Sequence, residues 1–271
     1  MSATRLPAYF LSHGGGPWPY MQGEFRQHFD QLEASLQAIA HTPDMPPKAI
    51  LVVSGHWETA DFCVSSHASP PMLYDFGGFP EHTYHVQYPA PGQPQLAQRV
   101  ADLLNNGGMQ ASLDATRGFD HGTYSLLQPM FPQADVPVVQ LSVRRDFDPA
   151  AHLAAGHLLA PLRDEGVLIL GSGLSYHNLR AFNAAGQAAS QQFDGWLQNT
   201  LCNLPPEQRA RQLENWQSAP AARAAHPRED HLLPLMVALG TAQQEAGTCV
   251  FHQKDFMGAL SVSSFRFGDI T

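Results

Sequence analysis

The sequence predicts an α/β fold: a single domain with a mostly parallel or mixed central sheet, covered by helices on both faces. Three observations carry that expectation. Short apolar runs closed by Gly or Ser alternate with longer helical patterns, as they do where helices cross over a parallel sheet. The 271 residues are 44% hydrophobic and include 15 Phe, ample for a sizeable core, while charged residues reach only 14% against roughly a quarter in an average domain. No internal repeat or linker-like tract divides the chain, so 1–271 reads as one unit.

Along the chain, Ala8–Ser12 is the first buried strand and Phe25–Ala40 the first helix. Ala49–Ser54 is the second strand. The following segment, 67–92, is rich in Pro, Gly and aromatics and breaks the alternation. A loop of that length in a compact domain is usually a lid or binding loop, and its aromatics argue against disorder. Pro94–Asn105 is helical, with proline suited to the first turn. Val136–Leu141 and Val167–Gly171 supply two more strands, and Pro149–Arg163 and Ala184–Leu204 two more helices. Asp230–Gln243 is an apolar helix, and Val250–Gln253 and Ser261–Phe267 are closing strands that can make the sheet mixed.

Charge excludes some partners. The formal net charge is −9, the only lysines are Lys48 and Lys254, and no basic block occurs, which argues against nucleic acid or an anionic membrane as the main partner. Cys63, Cys202 and Cys249 are scattered without a CxxC, so neither a disulfide framework nor a zinc-thiolate site is expected. With no membrane-length apolar run and no signal-peptide pattern, the expected location is cytoplasmic.

The 14 histidines nearly match the 15 Lys and Arg, and their positions are more informative than their number. His13 follows the first strand in LSHGGGP, His56 the second in VVSGHWE, and His177 the strand VLILGSG in SYHNL. In open α/β sheets ligands bind beyond the carboxyl ends of the strands, so these three converge on one edge as a candidate metal site. His231 opens the apolar helix and His121 precedes a helical run. The other nine are expected to be solvated or packing residues, with His226, His82 and His85 the nearest to exceptions. Neutral imidazoles suit Fe(II) or zinc, and a facial set of three leaves positions for substrate and O2. There is no HExxH and no GxSxG elbow, and Gly14–Gly16 is neither a phosphate loop nor GxGxxG. That run is better suited to letting backbone pass close to whatever His13 holds.

A set of motifs then carries a resemblance: LSHGGGP at 11–17, VVSGHWE at 52–58, PPMLYDFGGFP at 70–80, YPAPG at 88–92, GFDHGTYSLL at 118–127, VPVVQLS at 136–142, GSGLSYHNL at 171–179 and HPREDHLLPLMVALG at 226–240. In order and over nearly the whole chain, they resemble the class III (LigB-type) extradiol ring-cleavage dioxygenases, in particular the 4,5-DOPA dioxygenase-like branch. The resemblance implies a non-haem metal held by His13, His56 and His231. It also implies His177 as catalytic acid/base, in some members a fourth ligand in the resting state, and His121 as a second catalytic histidine near substrate and O2. Protocatechuate-type members use a glutamate as third ligand. Here the stretch is Glu229-Asp230-His231, of which only one could face a metal if it is helical, and the DOPA-type pattern selects His231. An all-His set suits zinc as readily as iron, so Fe(II) is expected for dioxygenase activity and Zn(II) as an alternative bound metal.

The implied substrates are O2 and a catechol, DOPA-like in that branch, whose ring opens beside the diol as both oxygen atoms are inserted. His177 would take a hydroxyl proton. The 67–92 lid would cover the ring through aromatics including Phe76, with Tyr74, Phe79 and Tyr84 as the substrate-contacting candidates and core packing as the alternative. Arg117, Arg144, Arg145 and Arg180 are each candidates for a substrate carboxylate, with a solvated surface position the alternative for every one. Two other functions fit the same residues: a zinc-dependent hydrolase, and a non-enzymatic binding protein on the same fold. His177 and His121 together favour an enzyme, since a binding module needs no base.

Overall fold

The computed structural model describes residues 5–41 and 46–269, so both ends of the expected 1–271 unit lie outside the described residues. Its strands are β1 (Ala8–Ser12), β2 (Ala49–Thr59), β3 (Phe62–Ser65), β4 (Ala111–Asp114), β5 (Val138–Arg144), β6 (Val167–Gly173), β7 (Gly247–Phe256) and β8 (Leu260–Phe267). They form one mixed sheet in the order β4-β3-β5-β2-β6-β1-β8-β7. β5, β2, β6 and β1 run parallel at its centre, and antiparallel partners join on either side. Every residue of β1 and β6 is buried, as expected of strands covered on both faces.

The helices are α1 (Gly23–Gln27), α2 (Asp30–Ala40), α3 (Pro94–Asn106), α4 (His121–Met130), α5 (Pro149–Leu159), α6 (Pro161–Asp164), α7 (Gln187–Asn203), α8 (Pro206–Glu214), α9 (Ala222–Ala225) and α10 (Leu233–Gly240). α10 packs on β6, β1 and β2 and is backed by α5, while α4 meets β2 and α2. Segment 67–92 carries little regular structure beyond a 3-10 turn at Glu81–Tyr84, and it is tied down by backbone bonds from Leu73 to Phe119 and from Phe119 to Pro71, each 2.8 Å.

Several boundaries differ from the sequence expectation for identifiable reasons. The expected helix 25–40 is broken at His28–Phe29, where Phe29 is buried and stacks on Trp18 at 5.1 Å. The expected helix 149–163 divides at Pro161, which has no N–H to continue the ladder. α10 starts at Leu233, with Pro234 in its first turn, so Asp230 and His231 lie in the turn before it rather than on it. β2 runs on to Thr59 through a register shift between Ser54 and Glu58, so His56 lies within the irregular end of the strand and not beyond it. β3, β4 and α8 were not expected: β3 and β4 are four residues each, and α8 is strongly polar.

Candidate active site

Five histidines converge at the carboxyl edge of the central strands. His13 follows β1 and is 2% exposed, its backbone N–H donating to Gly173 O at 3.1 Å. His177 comes four residues after β6, its backbone N–H held by Ala225 O at 3.0 Å. His231 reaches the same place because β6 ends in glycines. A Cβ on Gly173 would stand 2.1 Å from His231 O, and one on Gly171 would stand 2.3 Å from Pro234 O. The missing side chains let the start of α10 rest directly on the strand.

His121 is the first residue of α4, whose N-cap is the buried Asp120, accepting from Thr123 N at 3.0 Å. The Asp120 carboxylate also accepts from Ser54 Oγ at 2.9 Å and from Arg117 at 2.7 Å, locking the helix start to β2.

Two adjacent donor groups result. Ligand nitrogens of His13, His56 and His121 lie within 4.8 Å of one another, as do donor atoms of His177, Asp230 and His231. They join where His56 Nε2 and His231 Nε2 stand 3.1 Å apart. His177 lies flat on His231, with ring centroids 3.4 Å apart.

Two carboxylates orient the rings. Asp75, from segment 67–92, accepts through Oδ1 from His121 Nδ1 at 2.8 Å and from its backbone N–H at 2.9 Å, while Oδ2 lies 3.2 Å from His56 Nδ1. Asp230 Oδ2 accepts from His231 Nδ1 at 2.7 Å and lies 4.0 Å from His177 Nδ1. With Nδ1–H of His56 and His231 both donating to carboxylates, their Nε2 atoms carry lone pairs that point at each other. Two facing lone pairs at that separation repel unless a cation, a proton on His56 or a metal ion, lies between them. The buried Nδ1 of His13 has no hydrogen-bond partner either. The donor set therefore fits a metal ion, in the carboxylate–histidine pattern usual for such sites.

Burial dominates the electrostatics. It holds His13 and His231 well below the usual imidazole range, with neighbouring imidazoles adding to the effect. It also pushes His177 down to about 4, against the opposing pull of Asp230. The imidazoles of His13, His231 and His177 are thus neutral at pH 7, the protonation state that can bind a metal or accept a proton. For His56, burial is outweighed by Asp75 and the carboxylates of Asp120 and Asp230, which raise its pKa.

The comparisons with known proteins bear on the chain as a whole. The family model for the catalytic LigB subunit of aromatic ring-opening dioxygenase matches residues 7–264. The chain belongs to the LigB family. It is 38% identical to a 4,5-DOPA dioxygenase extradiol of Portulaca grandiflora, over 97% of this chain and 96% of that protein. It is 35% identical to the protein of the same description from Escherichia coli K12, over 99% of this chain and 97% of the relative. A crystal structure of an uncharacterized protein from E. coli K12 superposes with a TM-score of 0.78 at 34% identity, covering 97% of this chain and all of that one. This LigB-family protein is accordingly an extradiol aromatic ring-opening dioxygenase, and the hydrolase and binding-protein alternatives are not favoured.

In this dioxygenase the five histidines form one end of a cavity of about 540 Å³. Phe79 lines it, as does Phe76, whose ring centroid is 5.9 Å from that of His121. Tyr74 and Tyr84 are not among its lining residues. The Tyr74 hydroxyl donates to Val86 O at 2.8 Å, and Tyr84 packs on Phe76 at 5.0 Å. None of the four candidate arginines lines the cavity. Arg117 is bound to Asp120 and covers Trp57, Arg144 pairs with Asp146, Arg145 reaches Glu58 O, and Arg180 is exposed.

His226, flagged in the sequence, is a buried packing residue bonded to Ser175 O at 3.0 Å. His82 lies on the 3-10 turn and His85 just after it, both exposed and outside the cavity lining. Because Asp230 and His231 share a turn, both face the site, and Asp230 serves His231 rather than competing with it. The residues that sequence reasoning missed are Asp75 and Asp230; an acid next to a candidate ligand was the one available signal, and it existed for Asp230 alone.

Proposed function

We propose that this dioxygenase holds a single Fe(II) between His13, His56 and His231 and opens the ring of a catechol beside its diol. The facing Nε2 atoms of His56 and His231, each with its Nδ1 already committed to a carboxylate, are the observation that carries this reading. When bound, the metal supplies a Lewis acid that acidifies a catechol hydroxyl and brings diol and O2 together. His177, neutral at pH 7 and stacked on His231, is placed to take the remaining hydroxyl proton. His121 donates its Nδ1–H to Asp75, which leaves the Nε2 lone pair free to accept a proton and pass it on as the ring opens. Segment 67–92 acts as the lid: Phe76 and Phe79 exclude water from the reacting edge. Three free, half-buried cysteines favour a reducing compartment such as the cytoplasm, and among the described residues no helix is long and apolar enough to cross a membrane.

The test is anaerobic reconstitution with Fe(II), then addition of a catechol panel and air. Oxygen uptake with a coloured ring-opened product is expected. No uptake with any catechol, alongside ester or amide cleavage by a zinc-loaded form, would overturn the reading. His177→Ala should keep its metal and lose turnover, whereas His13→Ala should lose the metal.

A further inference from the structure

The wall of the cavity away from the histidines is apolar and uncharged. From His121 it runs through Phe76, Phe79, Phe25 and Phe29, with successive ring centroids 5.9, 5.4, 5.9 and 5.3 Å apart. Leu179 and Phe182 continue the lining on the segment after His177. No described lining residue is Arg or Lys, and the acid that lines the cavity, Asp75, already serves two imidazole N–H groups. A cavity of about 540 Å³ has room for more than one ring.

From this we infer that the enzyme selects catechols whose ring substituent is neutral and apolar, an alkyl or aryl group, over those carrying a carboxylate or an amino-acid side chain. The inference rests on the ring-opening reading above and narrows its substrate class, away from the DOPA in the relatives' names. A buried carboxylate here would lose its hydration, find no cation, and share the cavity with Asp75. An ammonium would find no unengaged carboxylate oxygen among the lining residues, since Asp75 serves two histidines and the unpartnered Oδ1 of Asp230 is buried outside the lining. An alkyl chain loses nothing and covers the phenylalanines.

The experiment uses a matched set on the Fe(II)-loaded protein: 4-propylcatechol, 3-(3,4-dihydroxyphenyl)propionate, dopamine and L-DOPA. Oxygen uptake gives kcat/KM, and anaerobic calorimetry gives binding without turnover. The neutral catechol should be favoured by about tenfold or more in both. Equal or better binding of a charged member overturns the inference. Loss of that binding in Arg180→Ala would assign the selection to the exposed arginine beside Leu179 instead. Tenfold tighter binding of the neutral catechol with no oxygen uptake upholds the inference and sinks the ring-opening reading. No binding of any catechol overturns both. Leu179 is 70% exposed, so Leu179→Arg should fold and shift the preference toward the propionate. An unchanged ratio in that variant would refute the placement of the substituent along this wall.

Discussion

Replacing Asp75 by Asn isolates the link between the lid and the histidine cluster. The Asp75 side chain is 19% exposed, and its two oxygens meet His121 Nδ1 at 2.8 Å, His121 N–H at 2.9 Å and His56 Nδ1 at 3.2 Å. An amide keeps the size but offers one oxygen, so its NH2 must face one of the two ring N–H groups. One charge-assisted bond is lost outright, and those that remain become neutral. A hydrogen bond to a charged group is worth about 1.5–3 kcal/mol. At about 1.4 kcal/mol per tenfold, metal affinity should fall by roughly 10- to 100-fold, the range seen when the partner of a ligating histidine is removed.

Competitive chelator titration of the Asn variant, run anaerobically beside kcat/KM on the same preparation, reads this directly. Metal affinity and turnover both within about twofold of the parent would refute the argument that Asp75 orients His56. Faster proteolysis within 67–92 with an unchanged site would show that Asp75 anchors the lid and nothing more.

Three further outcomes follow from particular contacts. Gly173→Ala places a Cβ 2.1 Å from His231 O, so the turn carrying His231 must shift; metal stoichiometry should drop, with roughly tenfold or greater loss of turnover, while circular dichroism stays native. Arg163 is 1% exposed and donates to Leu6 O at 2.6 Å, Thr241 O at 2.9 Å and Glu245 at 2.7 Å, so Arg163→Met should cost about 3 kcal/mol in urea unfolding.

His152, remote from the cluster, supplies a pH test. Its neutral ring is satisfied at both nitrogens, donating to Asp148 O and accepting from Arg144 N–H, and burial pushes its pKa down to about 4. The unfolded ring takes its proton near pH 6.5, so the stability it contributes is present above that value and lost as pH falls toward 4. Roughly 2 kcal/mol should disappear between pH 7 and pH 5, and the slope should flatten by that amount in His152→Gln.

Sequence legibility followed where the free energy lies. β1, β2 and β6 are buried on both faces, so they must be written as unbroken apolar runs, and runs of that kind locate strand ends to within a few residues. The histidines at those ends became interpretable because parallel strands deliver their carboxyl ends to one edge. β3 and β4 escaped because four-residue strands, one of them largely exposed, need no such run. The break at Phe29 escaped because an aromatic stack with Trp18, distant from any backbone preference, decides it.

The carboxylates were hidden for a related reason: an acid acquires meaning from its partner, and the partner is fixed only by the fold. Asp75 lies 46 residues from His121 yet holds its ring and its backbone N–H. Asp230 is adjacent to His231, but continuing α10 back over it would point the two side chains apart. Pro234 prevents that by starting the helix at Leu233, which leaves the pair in a turn where acid and imidazole can meet. The deciding feature of the site, two imidazoles forced by their acids to present lone pairs to each other, therefore depends on a proline and two glycines that have no chemistry of their own.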